Sequence, residues 1–352
     1  MRLKKQEVDP LERITFSEAA RLAKTAFRNA GVPDFGATNA AEILTITEAM
    51  GIATHGLTRV EDYVRRIGAG GIDPSAELST SAPAPALRHV DGKNGLGPAI
   101  ARSALDEAID AARNFGIGAV FVRGGSHLGA LSPYLFLAAE AGFAAVMTTN
   151  TAPMIAPAGG RSPRIGNNPF GLVIPHPDGK HVLLDMSLSV VARSRVRSAA
   201  RSGLPIPETW ATDAQGRATT DADAAMQGLM SAIGGAKGAN LALCLDLMAA
   251  GLSGARMLSE VPSAADHPER VQNLGYMIIL INAACLASDE VRRSRLDAAA
   301  EIIREAPALE ETESVRMPGA RALDALKTAQ KTGLKIDAEV LSFLRSHVQG
   351  SL

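Results

Sequence analysis

The chain of 352 residues is 46% apolar and 21% charged, with 36 basic against 37 acidic side chains and a formal net charge of −1. This length exceeds one small core and points to about two domains. The charge balance, with no long basic run, argues against nucleic acid or an anionic membrane surface as the main partner, and no apolar run approaches the roughly 20 residues of a membrane helix.

The opening stretch MRLKKQEVDPLER has basic residues but no apolar core after them, so it does not read as a secretory signal and a cytoplasmic protein is expected. Thr15 and Glu18 form a capping box, with Ile14 as its staple, and Ala19, Leu22, Ala23, Ala26 and Phe27 follow helical spacing. Gly31, Pro33 and Gly36 break that helix. A second helix is expected over Ala40 to Met50, then GIATHGLTR, Gly51 to Arg59, then a helix through Tyr63 and Val64. After the turn cluster Gly68 to Pro74, a short strand is expected at Leu87 to Val90. A glycine-rich turn, VDGKNGLGP, follows at Val90 to Pro98. Ile100, Ala104, Leu105, Ala108, Ile109 and Ala112 then mark one face of a helix that Gly116 ends. Ile117 to Val122 reads as a buried strand, Leu131 to Ala141 as a helix and Phe143 to Thr149 as a strand. Leu172 to Pro175 and Val182 to Met186 read as strands about a turn at Pro177 to Gly179. Further on, helices are expected at Ser189 to Ala200, Ala239 to Leu252 and Ser288 to Glu305. A loop at Ile206 to Asp221 holds the only tryptophan, Trp210, and a strand is expected at Met277 to Ile281. A turn at Pro318 to Arg321 precedes two tail helices. Cys244 and Cys285 lie in apolar helix-like runs and read as buried thiols. The strand–helix alternation alone suggests a parallel sheet.

Few residues carry recognisable chemistry. His89, His176, His181, His267 and His347 read as surface or structural residues. His55 and His127 differ, because small residues flank each of them in a loop. His55 and Arg59 are four apart and share a face if helical, which pairs a group titrating near neutrality with a guanidinium able to grip a carboxylate. Lys237, at the start of an apolar helix, suits a phosphate or another anion, or is simply solvated. Asp185, at a strand end, suits ribose hydroxyls or the cap of a helix. No metal site is expected, since HExxH and CxxC are absent. The nucleophile elbow GxSxG and the full GxGxxG fingerprint are absent too.

Taken together, these stretches resemble the type-2 malate/L-lactate dehydrogenase family, which includes ureidoglycolate dehydrogenases, diketogulonate reductases, sulfolactate dehydrogenases and cyclic imino-acid reductases. The family's SHGxxR matches Thr54 to Arg59, with Tyr63 at the family position. Its DGxxGxG matches Asp91 to Gly97, and its SSHFG matches GSHLG, Gly125 to Gly129. Its TNS and APxGG match Thr149 to Thr151 and Ala156 to Gly160, and its GTNP matches Gly166 to Pro169 with Asn167 for Thr. Its DMATS matches Asp185 to Ser189, and its GGxKG matches Gly234 to Gly238. Four departures stand out. The family's GK reads Ser194 and Arg195, and its PGE reads Pro318, Gly319 and Ala320, with Asp324 the next acid. A common His is Tyr276, and a loop that usually carries Pro reads Ser231 to Gly235.

The resemblance implies an α/β fold in which a mostly antiparallel, non-Rossmann cofactor domain, residues 117–286, is inserted into a helical domain formed by both chain ends, residues 1–116 and 287–352. It implies a homodimer and an NAD- or NADP-dependent oxidoreductase acting on a small 2-hydroxy or 2-oxo acid. Arg59, with Thr54 and Asn150, would bind the substrate. Thr149, Thr151, Asp185, Met186, Ser187, Lys237, Gly238, Pro318 and Gly319 would bind the cofactor. Arg193, Arg195 or Arg197 either meets a 2′-phosphate or belongs to a solvated face. His127, anchored behind a strand, is expected to give and take the proton, with His55 holding the substrate oxygen. Two alternatives stay open: a family member that has lost catalysis and only binds an acid or a partner, and a pyridoxal-phosphate enzyme using Lys237.

Overall fold

The computed structural model describes residues 11–309 and 314–349. Most of the opening stretch read above for a secretory signal, residues 1–10, lies outside the described residues. Among the described residues nine strands form: β1 Glu12–Ile14, β2 Ser79–Ala84, β3 Leu87–Asp91, β4 Ile117–Gly125, β5 Phe143–Thr149, β6 Phe170–Ile174, β7 Val182–Met186, β8 Leu274–Asn282 and β9 Leu334–Ile336. Seven of them make one sheet in the order β2-β3-β4-β8-β5-β6-β7. Only β3 and β4 run parallel, joined by the helix Gly97–Phe115; every other neighbouring pair in the sheet is antiparallel. The parallel sheet suggested by alternation is therefore corrected. β8 arrives from far along the chain and inserts between β4 and β5, which turns both neighbours antiparallel to it.

β8 is the central strand, and its residues 274–278 are all buried, as a strand covered on both faces must be. Ile100, Ala104, Leu105, Ala108 and Ala112 of the helix Gly97–Phe115 pack with Val120 and Val122 of β4, and with Tyr134 and Leu135 of the helix Ser132–Glu140. The small alanines let that helix lie close to the sheet. A second core combines residues from both chain ends. Leu22 and Phe27 of the helix Phe16–Asn29, and Leu44 of the helix Asp34–Ala49, join Leu323, Leu341 and Leu344 near the C-terminus. The ribbon β1–β9 ties the same two ends together.

Several expectations move by a few residues. Thr15 accepts from the Glu18 backbone N–H at 3.1 Å, one half of the expected capping box, while the Glu18 carboxylate accepts from Arg21 at 2.9 Å instead of from the Thr15 N–H. Gly36 lies inside the second helix, Asp34–Ala49, whose first turn begins directly after Pro33. The helix expected from Ser189 begins at Arg193, because residues 189–190 pair instead with residues 231–232. The helix expected from Ala239 begins at Ala236 and ends in a π-helical turn, Leu247–Gly251. Cys244 and Cys285 are exposed, not buried: Cys244 faces outward on its helix, and Cys285 ends a short 3₁₀ turn. Among the described residues no helix is long and apolar enough to cross a membrane.

Candidate active site

The two flagged histidines meet. His55 ends a 3₁₀ turn, Ala53–His55, and His127 follows β4, yet their ring centroids lie 5.8 Å apart. Each ring is held at Nδ1 by a hydroxyl, His55 by Thr54 Oγ1 at 3.0 Å and His127 by Tyr63 Oη at 2.8 Å. Neither Nε2 has a partner among the described residues, and both residues are half-buried. Arg59 stands beside the pair. Its Nε donates to the Thr54 carbonyl at 2.7 Å and its Nη1 to Asp62 at 2.9 Å, which leaves Nη2 without a partner.

Buried contacts fix this geometry. Glu48 reaches from the second helix and accepts the Leu57 backbone N–H at 2.9 Å, holding the turn that carries His55. On the other side, Ser126 accepts from the Gly97 N–H at 2.8 Å and donates to the Gly95 carbonyl at 2.9 Å. A Cβ at Gly97 would lie 2.5 Å from the Ser126 carbonyl oxygen, so the glycine-rich turn is the bed on which the His127 loop rests. Tyr276 of β8 donates from its hydroxyl to the Ser126 carbonyl, and its ring covers Gly125. These roles depend on strands distant in the chain and so carry no local signature.

Burial pushes the His55 pKa down to about 4, helped by the charge of Arg59. Burial drives His127 well below the usual imidazole value, and Arg59, His55 and Arg66 push the same way. Both rings are therefore neutral at pH 7. Tyr63 is pushed above the usual phenol range by burial and keeps its proton.

The remaining candidates gather along the end of β7 and the loops around it. Asp185 Oδ2 accepts from the Leu131 and Ser132 N–H groups at 3.0 and 2.8 Å and from Ser132 Oγ at 2.7 Å. It thus caps the helix Ser132–Glu140, which starts five residues after His127 and not directly after β7. Thr149 donates to the Gly275 carbonyl at 3.0 Å. Asn150 is fully buried, accepting from the Gly275 N–H at 2.9 Å and donating to the Arg256 carbonyl at 2.8 Å. Thr151 donates to Asn167, the residue that stands for the family's Thr, at 2.9 Å. The chain beyond Met186 runs through Ser187 to Leu188, whose N–H meets the Asn167 carbonyl at 2.8 Å and whose carbonyl accepts from Ile233 at 3.0 Å. That pairing delivers Gly234 and Gly235, both left-handed with open space above them, into the helix Ala236–Asp246. Lys237, in its first turn, is exposed and without a partner among the described residues. Gly238 packs against Ile233, where a Cβ would lie 2.9 Å from its carbonyl carbon. Pro318 accepts from the Leu183 N–H of β7 at 3.1 Å, and Gly319 rests on the same residue. A helix start with unpaired N–H groups, a free ammonium and a glycine hinge suits the phosphates of a dinucleotide.

His176 and His181 serve structure. His181 donates from Nε2 to Glu140 at 2.7 Å and accepts at Nδ1 from the His176 N–H at 3.0 Å. Both line a cavity of about 660 Å³, together with Arg292 and Lys327, that includes neither His55 nor His127. Arg193 donates to the Met226 carbonyl at 3.0 Å, and Arg195 lies 5.9 Å above the Trp210 ring. No group of three or more metal-ligating side chains occurs among the described residues.

Two neutral imidazoles with unpartnered Nε2 atoms beside a guanidinium suit proton transfer on an anionic substrate, and they sit on a mostly antiparallel sheet that is not of the Rossmann type. A sequence profile described as malate/L-lactate dehydrogenase matches residues 14–345. The chain belongs to the malate/L-lactate dehydrogenase family. It is 34% identical over 335 residues to the (2R)-3-sulfolactate dehydrogenase (NADP(+)) of Chromohalobacter salexigens, covering 95% of this chain and 97% of that one. It is 32% identical over 327 residues to a Δ1-pyrroline-2-carboxylate/Δ1-piperideine-2-carboxylate reductase of Pseudomonas aeruginosa, covering 92% and 96%. The solved sulfolactate dehydrogenase of Methanocaldococcus jannaschii superposes with a TM-score of 0.87 at 27% identity, covering 96% of this chain and 97% of that one.

Proposed function

We propose that this dehydrogenase moves hydride between NAD or NADP and C2 of a small 2-hydroxy or 2-oxo acid. The relatives' names describe sulfolactate, malate and cyclic imino-carboxylate substrates, and all of these share a carboxylate beside the reacting carbon. The observation that carries the reading is the meeting of His55 and His127, with Arg59 tied to the same turn through the Thr54 carbonyl. Arg59 holds the carboxylate through its free Nη2, with Asp62 giving way at Nη1. Asp185 to Ser187, the Thr149 to Thr151 loop, Lys237, Gly238 and the Pro318–Gly319 turn hold the cofactor, with Lys237 on a phosphate. When bound, the cofactor supplies or accepts the hydride.

The proton needs a separate carrier. His127 is buried, with the charges of Arg59 and Arg66 nearby, and is suited to donating a hydrogen bond from Nε2 to the substrate oxygen while staying neutral. Burial lowers His55 most and the charge of Arg59 adds to it; a substrate carboxylate on Arg59 offsets that added part at His55 and His127 alike. His55, the less deeply enclosed of the two rings, gives the proton in reduction and takes it in oxidation. From the sequence, His127, anchored behind β4, is instead expected to carry the proton; the deeper burial of His127 favours its neutral form and supports giving that task to His55.

The inserted arrangement of residues 117–286 and the homodimer belong to the same proposal. The core shared by the two chain ends supports the former, although the hairpin β2–β3 joins the sheet from before residue 117. For the dimer, the support is apolar surface that one chain leaves open. The helix Asp289–Arg304 has no buried side chain, and Leu241, Leu247, Met248 and Leu252 face outward on another helical stretch. We place the enzyme in the cytoplasm. The test is a screen of 2-oxo acids, sulfonated 2-oxo acids and cyclic imino acids with both reduced cofactors, reading loss of nicotinamide absorbance. Consumption that depends on the acid and falls in Arg59→Lys supports the reading. Cofactor binding without consumption of any acid would leave a binding protein.

A further inference from the structure

The helix Arg59–Gly68 presents Arg59, Tyr63 and Arg66 at i, i+4 and i+7, one row on one face. Arg66 anchors the inner end of the row. It is 3% exposed, and it donates from Nη1 to Gln272 at 2.8 Å and from Nη2 to the carbonyls of Gly71 at 3.1 Å and Arg270 at 3.0 Å. Arg59 stands at the outer end. Tyr63 lies between them, 2% exposed, with its ring 6.0 Å from that of His127 and 6.5 Å from that of Phe27. Its hydroxyl is 2.8 Å from His127 Nδ1 and has no other partner among the described residues.

A buried phenol that keeps its proton and has one acceptor in reach must donate to that acceptor. Nδ1 then carries no hydrogen, and the imidazole proton sits on Nε2. We propose that Tyr63 is a positioning residue that fixes His127 in the Nε2–H tautomer, its proton on the ring edge away from Tyr63, in a ring whose centroid lies 5.8 Å from that of His55. The purpose of that edge rests on the dehydrogenase reading above; the tautomer does not. Without Tyr63 a neutral His127 takes either tautomer, and the wrong one sets a lone pair against the lone pairs of the substrate oxygen. One helix turn, about 6 Å of rise, thus separates the group that holds the carboxylate from the group that orients the oxygen's partner. Both are braced by Arg66 against the loop leading into β8.

The test is nitrogen NMR on protein with isotope-labelled histidine, the His127 signals being identified by their loss in His127→Ala. The expected wild-type result is a pure Nε2–H ring that does not titrate near neutrality. In Tyr63→Phe, which removes one oxygen and keeps the ring packing, the His127 signals should move to a mixture or to the Nδ1–H form. The kcat should fall about tenfold with cofactor affinity unchanged, and 3-fluorotyrosine at position 63 should restore both readouts. An unchanged tautomer in Tyr63→Phe overturns the proposal, even if kcat falls. A shifted tautomer in a protein that reduces no acid would uphold the proposal and sink the functional reading instead.

Discussion

Replacing Gly125 by Ala tests how His127 is held. A Cβ there would lie 2.5 Å from Tyr276 Oη and 2.7 Å from its Cε1, about 1 Å inside ordinary contact. Tyr276 cannot retreat, because it is fully buried in the central strand β8 and its hydroxyl is bound to the Ser126 carbonyl. The end of β4 and the Ser126–His127 peptide must therefore shift. Overpacking costs about 1–3 kcal/mol and weakening the Tyr276 hydrogen bond about 0.5–1.5, so the expected loss of stability is roughly 2–4 kcal/mol. A 1 Å displacement of a catalytic group costs about 10²-fold in rate, so kcat should fall by that order. The Tyr276 ring thus takes the space that a side chain at 125 would need. Urea unfolding and steady-state kinetics of a double-mutant cycle check the point. In a Tyr276→His background Gly125→Ala should cost less than about 1 kcal/mol, because the smaller ring clears the Cβ. Wild-type stability and rate in Gly125→Ala, or an equal cost in both backgrounds, would refute the reasoning.

Lys237→Ala should weaken cofactor binding by about 1–3 kcal/mol in a nicotinamide-fluorescence titration, as for a lost charged hydrogen bond; unchanged affinity would take Lys237 out of the site. Arg59→Lys keeps the charge but loses the planar fork, so KM for the acid should rise while cofactor affinity holds; the reverse pattern would exchange the two ends of the site. His55 falls from 6.5 to about 4 on folding, so between those values the unfolded chain binds a proton that the folded chain does not, and stability should rise with pH across that window and level off above it. The difference between wild type and His55→Ala in urea midpoints at pH 4.5 and 7 isolates this effect, on the order of 2 kcal/mol, from buried Glu48, Asp185 and Asp246, whose raised values act the opposite way. A difference that does not change with pH would show that His55 titrates normally in the fold.

Local pattern made the helix Gly97–Phe115, the strand Phe143–Thr149 and the Thr15 cap readable, because spacing and capping are properties of neighbours in sequence. The antiparallel sheet was not legible in that way, since it depends on β8 entering between β4 and β5. β2, STSAPA, has no alternation to reveal it, being an exposed edge strand. At the site, small flanking residues singled out His55 and His127, and the fold brings the two rings together. The partner of Asp185, the packing of Gly97 under the His127 loop and the pairing of Tyr276 with Gly125 are tertiary contacts that no local spacing encodes.

The central claim is hydride transfer to C2 of a small acid. It is tested most directly by incubating the enzyme with reduced nicotinamide cofactor carrying deuterium at C4 and a 2-oxo acid that it consumes, then analysing the product by mass spectrometry. The account predicts a 2-hydroxy acid carrying the label at C2, formed with wild type and strongly suppressed in His55→Ala. A product without the label at C2, or a labelled product formed equally fast without His55, would contradict it.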